Sequence, residues 1–518
     1  GFLAVTSRSR CASGASLATI RGPNGYFEAQ SLATVNELSS RRVFLRAALV
    51  AGGAGLWSGT GGAVADQKAS RQSGVASDAD WPMFQHDAHN SGTIDTSGPS
   101  EPVEAVWTFE TDDDLVAQPV VKDGTVFQVS RDSTVYAVSA ETGDEEWSVG
   151  TNQPLVRTPA VANSMVYVPT QTGRIVALSV GTGSGQWSNA PGFGSASDVT
   201  VTGDGVLVTD DSGDQRILYS LDAATGETQW VLEEDDYRDG LQTPVYDDGT
   251  VYVTSEEANK RVGAYATSDR TQRWQAYVGG DTGYSNANVE AGITYSAWDG
   301  GTIFVGNDDG EVRSLDAGSG DENWAFTNLG PTQLLPTFAD DMLYVATEEP
   351  ALYAIDPSIG TEQWRVDLDG TPTSPVVADG MVYLGTGANS VYGFDAQSSE
   401  QRWRFETGND VVVPPVVLDG TVYAASTDGT LYALREQGSI SPGDVTGDGQ
   451  PAQDLDEDGL YEDVNGDGAF TIVDVQALFA NLDSDVVQDN VAKFDFNGDG
   501  RVDVTDVQAL YARLQEGQ

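Results

Sequence analysis

The chain has 518 residues and a formal net charge of −53, from 79 acidic and 26 basic residues. A surface this negative repels phosphate backbones and anionic lipids, so the composition excludes nucleic acid and anionic membranes as expected partners. The acidic residues are spread along the whole chain, which is typical of proteins that stay soluble in concentrated salt, as in halophilic archaea. A cation-binding protein from ordinary conditions is the alternative.

An export signal is predicted near the N-terminus. Residues Ser40-Arg-Arg-Val-Phe-Leu-Arg46 match the twin-arginine motif, and an apolar stretch follows at 47–57. Because this stretch is too short to cross a membrane and Ala63-Val-Ala65 fits a cleavage site, we expect a twin-arginine signal peptide over 39–65. The predicted product is secreted and has no membrane span.

Residues 1–38 precede this signal without an initiating Met, and we interpret them as a mis-set start or a fragment. The single cysteine, Cys11, lies in this part of the chain, so no disulfide is expected in the mature protein.

A lead-in segment is expected over 66–98. It contains the two histidines of the chain, His86 and His89, on either side of Asp87. Because a metal site needs more ligands than this triplet offers, we expect the histidines to have a structural packing role.

Tryptophan recurs with a period near 40 residues, at Trp107, Trp147, Trp187, Trp230, Trp274, Trp324, Trp364 and Trp403. A regular period of this length is typical of repeat architectures. We expect these rings to fill the space between neighbouring sheets and not to stack on ligands.

Each period carries four short β-forming runs. One follows a proline, the next opens with an Asp-Gly hairpin such as Asp123-Gly-Thr-Val-Phe, and the third resembles Val135-Tyr-Ala-Val. The fourth follows a turn such as Thr142-Gly-Asp-Glu-Glu-Trp147. Four strands per unit predict a propeller blade.

The two ends of the repeat array complement each other. The last repeat ends after its third run at Leu431-Tyr-Ala-Leu434, whereas Trp107 has no three runs before it. We therefore expect the segment around Trp107 to supply the fourth strand of the last blade, which closes eight blades over 99–437 and removes the open sheet edges.

These repeats resemble the PQQ-like, or quinoprotein-like, propeller family, on the Ala-x-Thr-Gly-x-x-x-Trp turns and the Asp-Gly-x-Val-Tyr-Val hairpins. The opening Trp81-Pro-Met-Phe-Gln-His-Asp-Ala-His-Asn-Ser-Gly92 is similar to the segment before the first blade in that family. The resemblance covers about residues 80–436 and implies an all-β, eight-bladed fold. It leaves activity open, because the family contains dehydrogenases as well as non-catalytic scaffolds.

After a linker at 438–443, the composition changes to two copies of a calcium-loop pattern within 444–518. Hard oxygen ligands fall at loop positions 1, 3, 5, 9 and 12, a backbone carbonyl at 7, and glycine at 6. The predicted ligands are Asp463, Asn465, Asp467, Ala469, Thr471 and Asp474 in the first loop, and Asp495, Asn497, Asp499, Arg501, Asp503 and Asp506 in the second. Two Ca²⁺ sites are predicted, and a weaker cluster, Asp454, Asp456 and Asp458, leaves a third open.

Each loop leads into a predicted amphipathic helix. Ile472, Val475, Leu478, Phe479 and Leu482 have helical spacing, and Val504, Val507, Leu510, Tyr511 and Leu514 repeat it 32 residues later. A duplicated loop and helix resemble a dockerin module, a small α-helical EF-hand-like domain that binds cohesins.

In dockerins, partner contacts often lie at loop positions 10 and 11. Here these positions hold Ile472-Val473 and Val504-Thr505, and Phe479-Ala480 and Tyr511-Ala512 replace the Lys-Arg pairs of clostridial dockerins. The resemblance therefore implies a cohesin-like or other extracellular partner with a more apolar surface.

The sequence singles out no catalytic residue. A quinone-dependent dehydrogenase would hold PQQ and calcium on the propeller axis, and many such enzymes use a disulfide between adjacent cysteines, which this chain cannot form. An insertion around 279–288, with Asp299 beyond it, could shape a site, but a decorated surface loop is the commoner explanation. We predict a secreted, non-catalytic binding or scaffold protein without PQQ; the alternatives are a PQQ-dependent dehydrogenase and a polysaccharide-binding or polysaccharide-degradation component.

Overall fold

The computed structural model describes residues 20–22, 25–27, 80–190, 196–203, 205–210, 216–234, 242–254, 261–279, 292–307, 309–327, 329–332, 334–437, 445–446, 450, 452–453, 455, 460–482, 484–488, 490–498 and 500–516. The chain divides into two compact units, Gly1–Ala69 and Ser70–Gln518. In the first unit, strands β1 (Ile20–Gly22) and β2 (Gly25–Phe27) form an antiparallel hairpin. The predicted signal peptide, 39–65, the linker 438–443 and the insertion over 280–288 lie outside the described residues.

The second unit contains eight antiparallel blades, as predicted. Strands β3 and β4 are Thr93–Ile94 and Val103–Glu110. Blades 1 to 4 are β5–β8 (Val120–Lys122, Thr125–Val129, Thr134–Ser139, Glu145–Gly150), β9–β12 (Ala160–Ala162, Met165–Pro169, Ile175–Ser179, Gly185–Asn189), β13–β16 (Thr200–Thr202, Gly205–Asp210, Arg216–Asp222, Thr228–Glu234) and β17–β20 (Val245–Asp247, Thr250–Thr254, Arg261–Ala266, Gln272–Tyr277). Blades 5 to 8 are β21–β24 (Ile293–Ser296, Thr302–Asn307, Glu311–Asp316, Glu322–Phe326), β25–β28 (Thr337–Ala339, Met342–Thr347, Ala351–Asp356, Thr361–Asp367), β29–β32 (Val376–Ala378, Met381–Thr386, Ser390–Asp395, Gln401–Glu406) and β33–β35 (Val416–Leu418, Thr421–Ala425, Thr430–Glu436) with β4.

The ring closes through the N-terminal strand, which confirms the prediction made from the ends of the array. Strand β4 pairs antiparallel with β35, with Trp107 opposite Ala433 and Phe109 opposite Leu431. Blade 8 therefore combines three strands from the end of the repeat array with one from its beginning.

The Asp-Gly hairpins between the first two strands of a blade form as predicted. In blade 1, Asp123 and Gly124 have φ values of 49° and 79°, and Lys122 pairs with Thr125 on the two sides of the turn. Two consecutive residues with positive φ are the requirement of a type I′ turn, which explains the glycine. Blade 5 departs from this pattern, because a short 3-10 segment, Trp298–Gly300, separates β21 from β22.

A small residue faces each repeated tryptophan across the outer strand pair. Trp147 lies opposite Ala137, Trp324 opposite Ser314 and Trp403 opposite Gly393, and a register shift follows the small residue each time. The alanine of the Val-Tyr-Ala-Val run therefore leaves room for the indole. The small residue is visible in each repeat of the sequence, but its pairing with the tryptophan was not predicted from the sequence.

Six of the repeated tryptophans also lock a blade to the next one. Trp147 of blade 1 donates its indole N–H to the carbonyl oxygen of Val180 in blade 2, at 2.7 Å. Its ring covers Gly183, where an added Cβ would lie 2.6 Å from Cε3 of Trp147. The same indole-to-carbonyl bond is made by Trp107, Trp187, Trp274, Trp324, Trp364 and Trp403. The indole N–H of Trp403 donates to the carbonyl oxygen of Pro99. Blade 8 has no turn before its outer strand, because that strand comes from the N-terminal side, and Pro99 takes the place of the missing acceptor.

The lead-in segment runs around the inner strands of the propeller. Its backbone bonds Val121 of β5 through Trp81 and Val161 of β9 through Pro82. It then bonds β17 through Ala88 and β21 through His89, pairs with β29 in parallel through β3, and reaches the hairpin of blade 8 through Ser97. The segment thereby covers the axis at the hairpin end of the inner strands.

The C-terminal module contains the helices α1 (Ile472–Ala480), α2 (Asp485–Gln488), α3 (Val491–Phe494) and α4 (Val504–Glu516). Its own apolar core includes Leu478, Phe494 and Leu510, each with no exposed surface. The two predicted helices form, and a capping box at Thr471 begins α1. In the described part of the chain, no helix is long and apolar enough to cross a membrane.

Candidate functional site

The first predicted calcium loop is held by its own carboxylates. Asp463 accepts the N–H of Asp467 at 3.1 Å and that of Gly468 at 2.7 Å. Asp474 accepts the N–H of Asn465 at 3.2 Å and that of Thr471 at 2.7 Å. The structure thus brings positions 1, 3, 5, 9 and 12 of this loop together, and Gly468 at position 6 has a φ of 84° that suits the sharp turn.

The backbone of position 7 belongs to the same network, because the N–H of Ala469 donates to Asp467 at 3.0 Å. The carbonyl oxygen of Ala469 is the ligand that this residue can offer, because calcium binds oxygen atoms and not amide N–H groups.

The second loop repeats these contacts at equivalent positions. Asp495 accepts the N–H of Gly500 at 2.7 Å, and Asp506 accepts the N–H groups of Asn497 at 3.2 Å and Asp503 at 2.8 Å. Arg501, at position 7, is an exposed residue. The remaining predicted ligands, Asp499 in this loop and the weaker cluster Asp454, Asp456 and Asp458, lie outside the described residues.

Negative charge is buried in these loops. The side chains of Asp463, Asp474 and Asp506 lie in residues with no exposed surface. Burial raises the pKa of Asp463, and the charges of Asp474 and Asp467 raise it further, while the N–H groups of Gly468 and Asp467 lower it. A cation at this position would offset both the burial and the repulsion.

The donor set fits a calcium ion. Carboxylate, amide, hydroxyl and carbonyl oxygens are the ligands that Ca²⁺ prefers, and calcium would order the loop while neutralising its charge. Among the described residues, no three Asp, Glu, His or Cys side chains form a ready-made metal cluster. In the first loop, the carboxylates are bonded to N–H groups of the loop itself. The predicted ligands at positions 3, 7 and 9 are an amide, a carbonyl and a hydroxyl oxygen, so they add no carboxylate to such a cluster.

The helix positions that we expected to be apolar divide into two groups. Val475, Leu478, Val507, Leu510 and Leu514 are buried in the module core. Ile472, Phe479, Val504 and Tyr511 are instead 46%, 61%, 48% and 46% exposed, and Val473 is 49% exposed. These five side chains are here called the apolar face. Ile472 and Val504, and likewise Phe479 and Tyr511, occupy equivalent places 32 residues apart in the two repeats.

The two histidines lie in different environments. His89 Nε2 lies 3.2 Å from a carboxylate oxygen of Asp247, and its ring lies 4.9 Å from that of Tyr295. Burial raises the pKa of Tyr295, and its hydrogen bond to Asp247 raises it further. The buried His86 packs 5.0 Å from the ring of Trp81. Both histidines line an open cavity of about 680 Å³ whose described lining carries carboxylates but no Lys or Arg.

A second cavity, here called the axial cavity, lies at the opposite end of the inner strands. All eight blades contribute to it through residues just before their first strand, and Phe84 and Asn90 of the lead-in segment also line it. Its volume is about 240 Å³. Neither the motifs nor the periodicity predicted it, although in six blades its lining comes from the residues just before the repeated proline.

The described lining of the axial cavity does not fit a quinone with calcium. Asp198 is its one carboxylate, and both oxygens are engaged, by the N–H of Thr158 at 2.6 Å and the hydroxyl of Thr243 at 3.1 Å. Calcium takes six to eight oxygens. The volume also lies below the ~300–1,000 Å³ of pockets for drug-sized ligands.

A family model described as "Outer membrane protein assembly factor BamB" matches residues 104–196, 190–327 and 308–442. The matches together span the propeller and more than half of the chain. The chain belongs to this PQQ-repeat family, PQQ_2. A second model, "Dockerin type I domain", matches residues 461–515.

One curated relative is the outer membrane protein assembly factor BamB of Moranella endobia (strain PCIT). It is 32% identical to this PQQ_2 member over 116 residues, which is 20% of this chain and 28% of the relative. The match thus spans under a third of the relative's length.

Three solved structures share the propeller fold. BamB from Moraxella catarrhalis matches 64% of this chain and 99% of its own with a TM-score of 0.55 and 18% identity. A europium-containing methanol dehydrogenase matches 69% and 98% with a TM-score of 0.61 and 14% identity. Quinohemoprotein alcohol dehydrogenase from Comamonas testosteroni matches 86% and 96% with a TM-score of 0.61 and 16% identity. Identities this low show the fold alone.

Proposed function

We propose that this PQQ_2 member is an exported, non-catalytic binding protein that docks to another extracellular protein through its C-terminal module. Calcium would hold the two loops, and the propeller would serve as the interaction platform. Export through the twin-arginine pathway is supported by the motif at 40–46, and salt adaptation by the net charge of −53.

The duplication of the apolar face carries this proposal. Apolar side chains that could lie in a core are instead exposed at matching places, Ile472 with Val504 and Phe479 with Tyr511. Exposed large apolar groups in a protein this acidic point to a partner surface. The dockerin type I match implies a cohesin-like partner, and these residues indicate that its contact surface is apolar.

Calcium dependence follows from the buried carboxylates. Without a cation, Asp463 and Asp474 repel each other in a buried loop, so the loops and the helices after them would lose stability. The apolar face lies on those helices and at their starts. Calcium would therefore control the shape of the docking surface.

Calcium titration of the full chain in high salt tests the proposal. We expect binding heat in calorimetry and a gain of helical circular dichroism. Asp474→Asn and Asp506→Asn should each lower the calcium stoichiometry by one. Each substitution removes the charge of the carboxylate that accepts the N–H groups of positions 3 and 9 of its loop. Asp367→Asn, an exposed propeller residue, is the control. Absence of calcium binding by the parent chain would refute the proposal.

A quinone-dependent dehydrogenase is the second candidate, favoured by the fold shared with the two dehydrogenases. It predicts quinone-dependent oxidation of an alcohol or sugar. If the chain, reconstituted with PQQ and calcium, reduces a dye in the presence of an alcohol, the non-catalytic assignment is wrong.

A further inference from the structure

The axial cavity contains an arginine that forms no ion pair with any residue that the structure describes. Arg157 lies in the lining just before β9, and its Nε is buried without a hydrogen-bond partner. Some other arginines of the propeller pair with acids, as Arg131 does with Asp114 at 3.0 Å, whereas Arg174 bonds the hydroxyl of Ser188. The unpartnered, buried Nε of Arg157 therefore marks this cavity as a place for an acceptor.

The nearby carboxylate does not serve Arg157. Asp198 accepts hydrogen bonds from Thr158 and Thr243, and so joins the loops before the inner strands of blades 2, 3 and 4. Among the described residues, Arg157 forms no ion pair with it. Leaving a buried donor unpaired is unfavourable, so an anion that accepts from Arg157 in the cavity would be stabilised.

The rest of the described lining combines polar residues, such as Thr158, Gln242 and Thr373, with a set of apolar ones. Leu334, Leu335, Val413 and Pro414 contribute side chains from blades 6 and 8, and Phe84 lines the cavity from the lead-in segment. A ligand that pairs with Arg157 would therefore bring an apolar body against these walls. The volume of about 240 Å³ limits that body to a small molecule.

We propose that the axial cavity binds a small organic carboxylate, with its carboxylate on Arg157 and a short apolar body against Leu335 and Val413. This site is independent of the docking module. It also differs from a quinone site, because it pairs one anionic group with one guanidinium and uses no calcium.

Hexanoate and its neutral amide, hexanamide, are matched probes for this site. Binding to the full chain is measured by calorimetry at constant chloride concentration. We expect hexanoate to bind about ten- to a hundredfold more tightly than hexanamide, because a hydrogen bond to a charged group contributes about 1.5–3 kcal/mol. Arg157→Gln should lose the same factor, whereas Arg174→Gln, an exposed arginine of blade 2, should bind like the parent.

A second variant tests the location without removing the charge. Val412 is 48% exposed in the lining, so Val412→Trp should fold normally, obstruct the cavity and reduce hexanoate binding at least about tenfold. Three results would overturn the proposal: no saturable binding at millimolar hexanoate, equal binding of hexanoate and hexanamide, or parent-like hexanoate binding by folded Arg157→Gln or Val412→Trp. None of these depends on whether the C-terminal module binds calcium.

Discussion

The contact between a repeat glycine and the tryptophan of the preceding blade can be tested by adding one methyl group. In Gly183→Ala, the new Cβ would lie 2.6 Å from Cε3 of Trp147 and 2.7 Å from Cγ2 of Val149. The indole cannot move away freely, because its N–H bonds the Val180 carbonyl oxygen at 2.7 Å. We therefore expect this substitution to weaken the lock between blades 1 and 2.

The magnitude follows from two separate costs. Gly183 has a φ of 64°, and an alanine in this left-handed region costs about 1–2 kcal/mol. Overpacking against the fixed ring adds about 1–3 kcal/mol. Gly124→Ala is the matched control, because Gly124 has a φ of 79° but no atom within 4 Å of the added Cβ. The difference between the two variants isolates the contacts with Trp147 and Val149.

Urea unfolding of the calcium-saturated chain at constant salt, followed by circular dichroism, measures both variants. We expect Gly183→Ala to lose about 1–3 kcal/mol more than Gly124→Ala. In a Trp147→Ala background, this extra loss should become smaller, because the obstructing ring is gone and only the contact with Val149 remains. Equal losses for the two glycine variants, or an extra loss that is undiminished without Trp147, would refute the interblade lock.

Three further predictions concern other parts of the molecule. Ser399 has a φ of 62° at the place where five other blades carry glycine, so Ser399→Gly should raise the free energy of unfolding by up to about 1 kcal/mol in urea titration. A loss of stability would contradict this. Asp87→Ala should lower the free energy of unfolding by about 1–3 kcal/mol, because the buried carboxylate accepts the N–H groups of His89 and Ser91. An unchanged free energy of unfolding would show that the lead-in segment does not need these hydrogen bonds. Chelation of calcium should reduce helical ellipticity but leave tryptophan fluorescence unchanged, because none of the 11 tryptophans lies in 439–518; a fluorescence change would show that calcium also affects the propeller.

The blade count could be predicted because it depends on local signals. The Asp-Gly turns need positive φ at both central residues, and the tryptophan spacing reports one ring per blade. The lack of three β-forming runs before Trp107 was enough to predict that its strand completes the last blade, because a closed ring leaves one place for an unpaired strand. The register, with Trp107 opposite Ala433, came only from the structure.

The axial cavity could not be predicted, because its lining comes from eight loops about 40 residues apart. Arg157 belongs to no motif, and its lack of a partner appears only when the loops of blades 2, 3 and 4 are placed together. The spacing of apolar residues in the C-terminal helices likewise could not separate buried Leu478 from exposed Phe479, since adjacent residues both fit a broad apolar stripe.

Capture of a partner by the immobilised full chain tests the docking proposal most directly. Proteins secreted by the source organism are applied in high salt to the parent chain and to a variant with aspartate at Ile472, Phe479, Val504 and Tyr511. A control variant carries Gln476→Asp and Gln508→Asp, which add charge at exposed polar positions of the same helices. The account predicts a protein that the parent and the control retain, that the apolar-face variant does not, and that a calcium chelator releases. Retention of the same proteins by all three chains, with or without chelator, would contradict it.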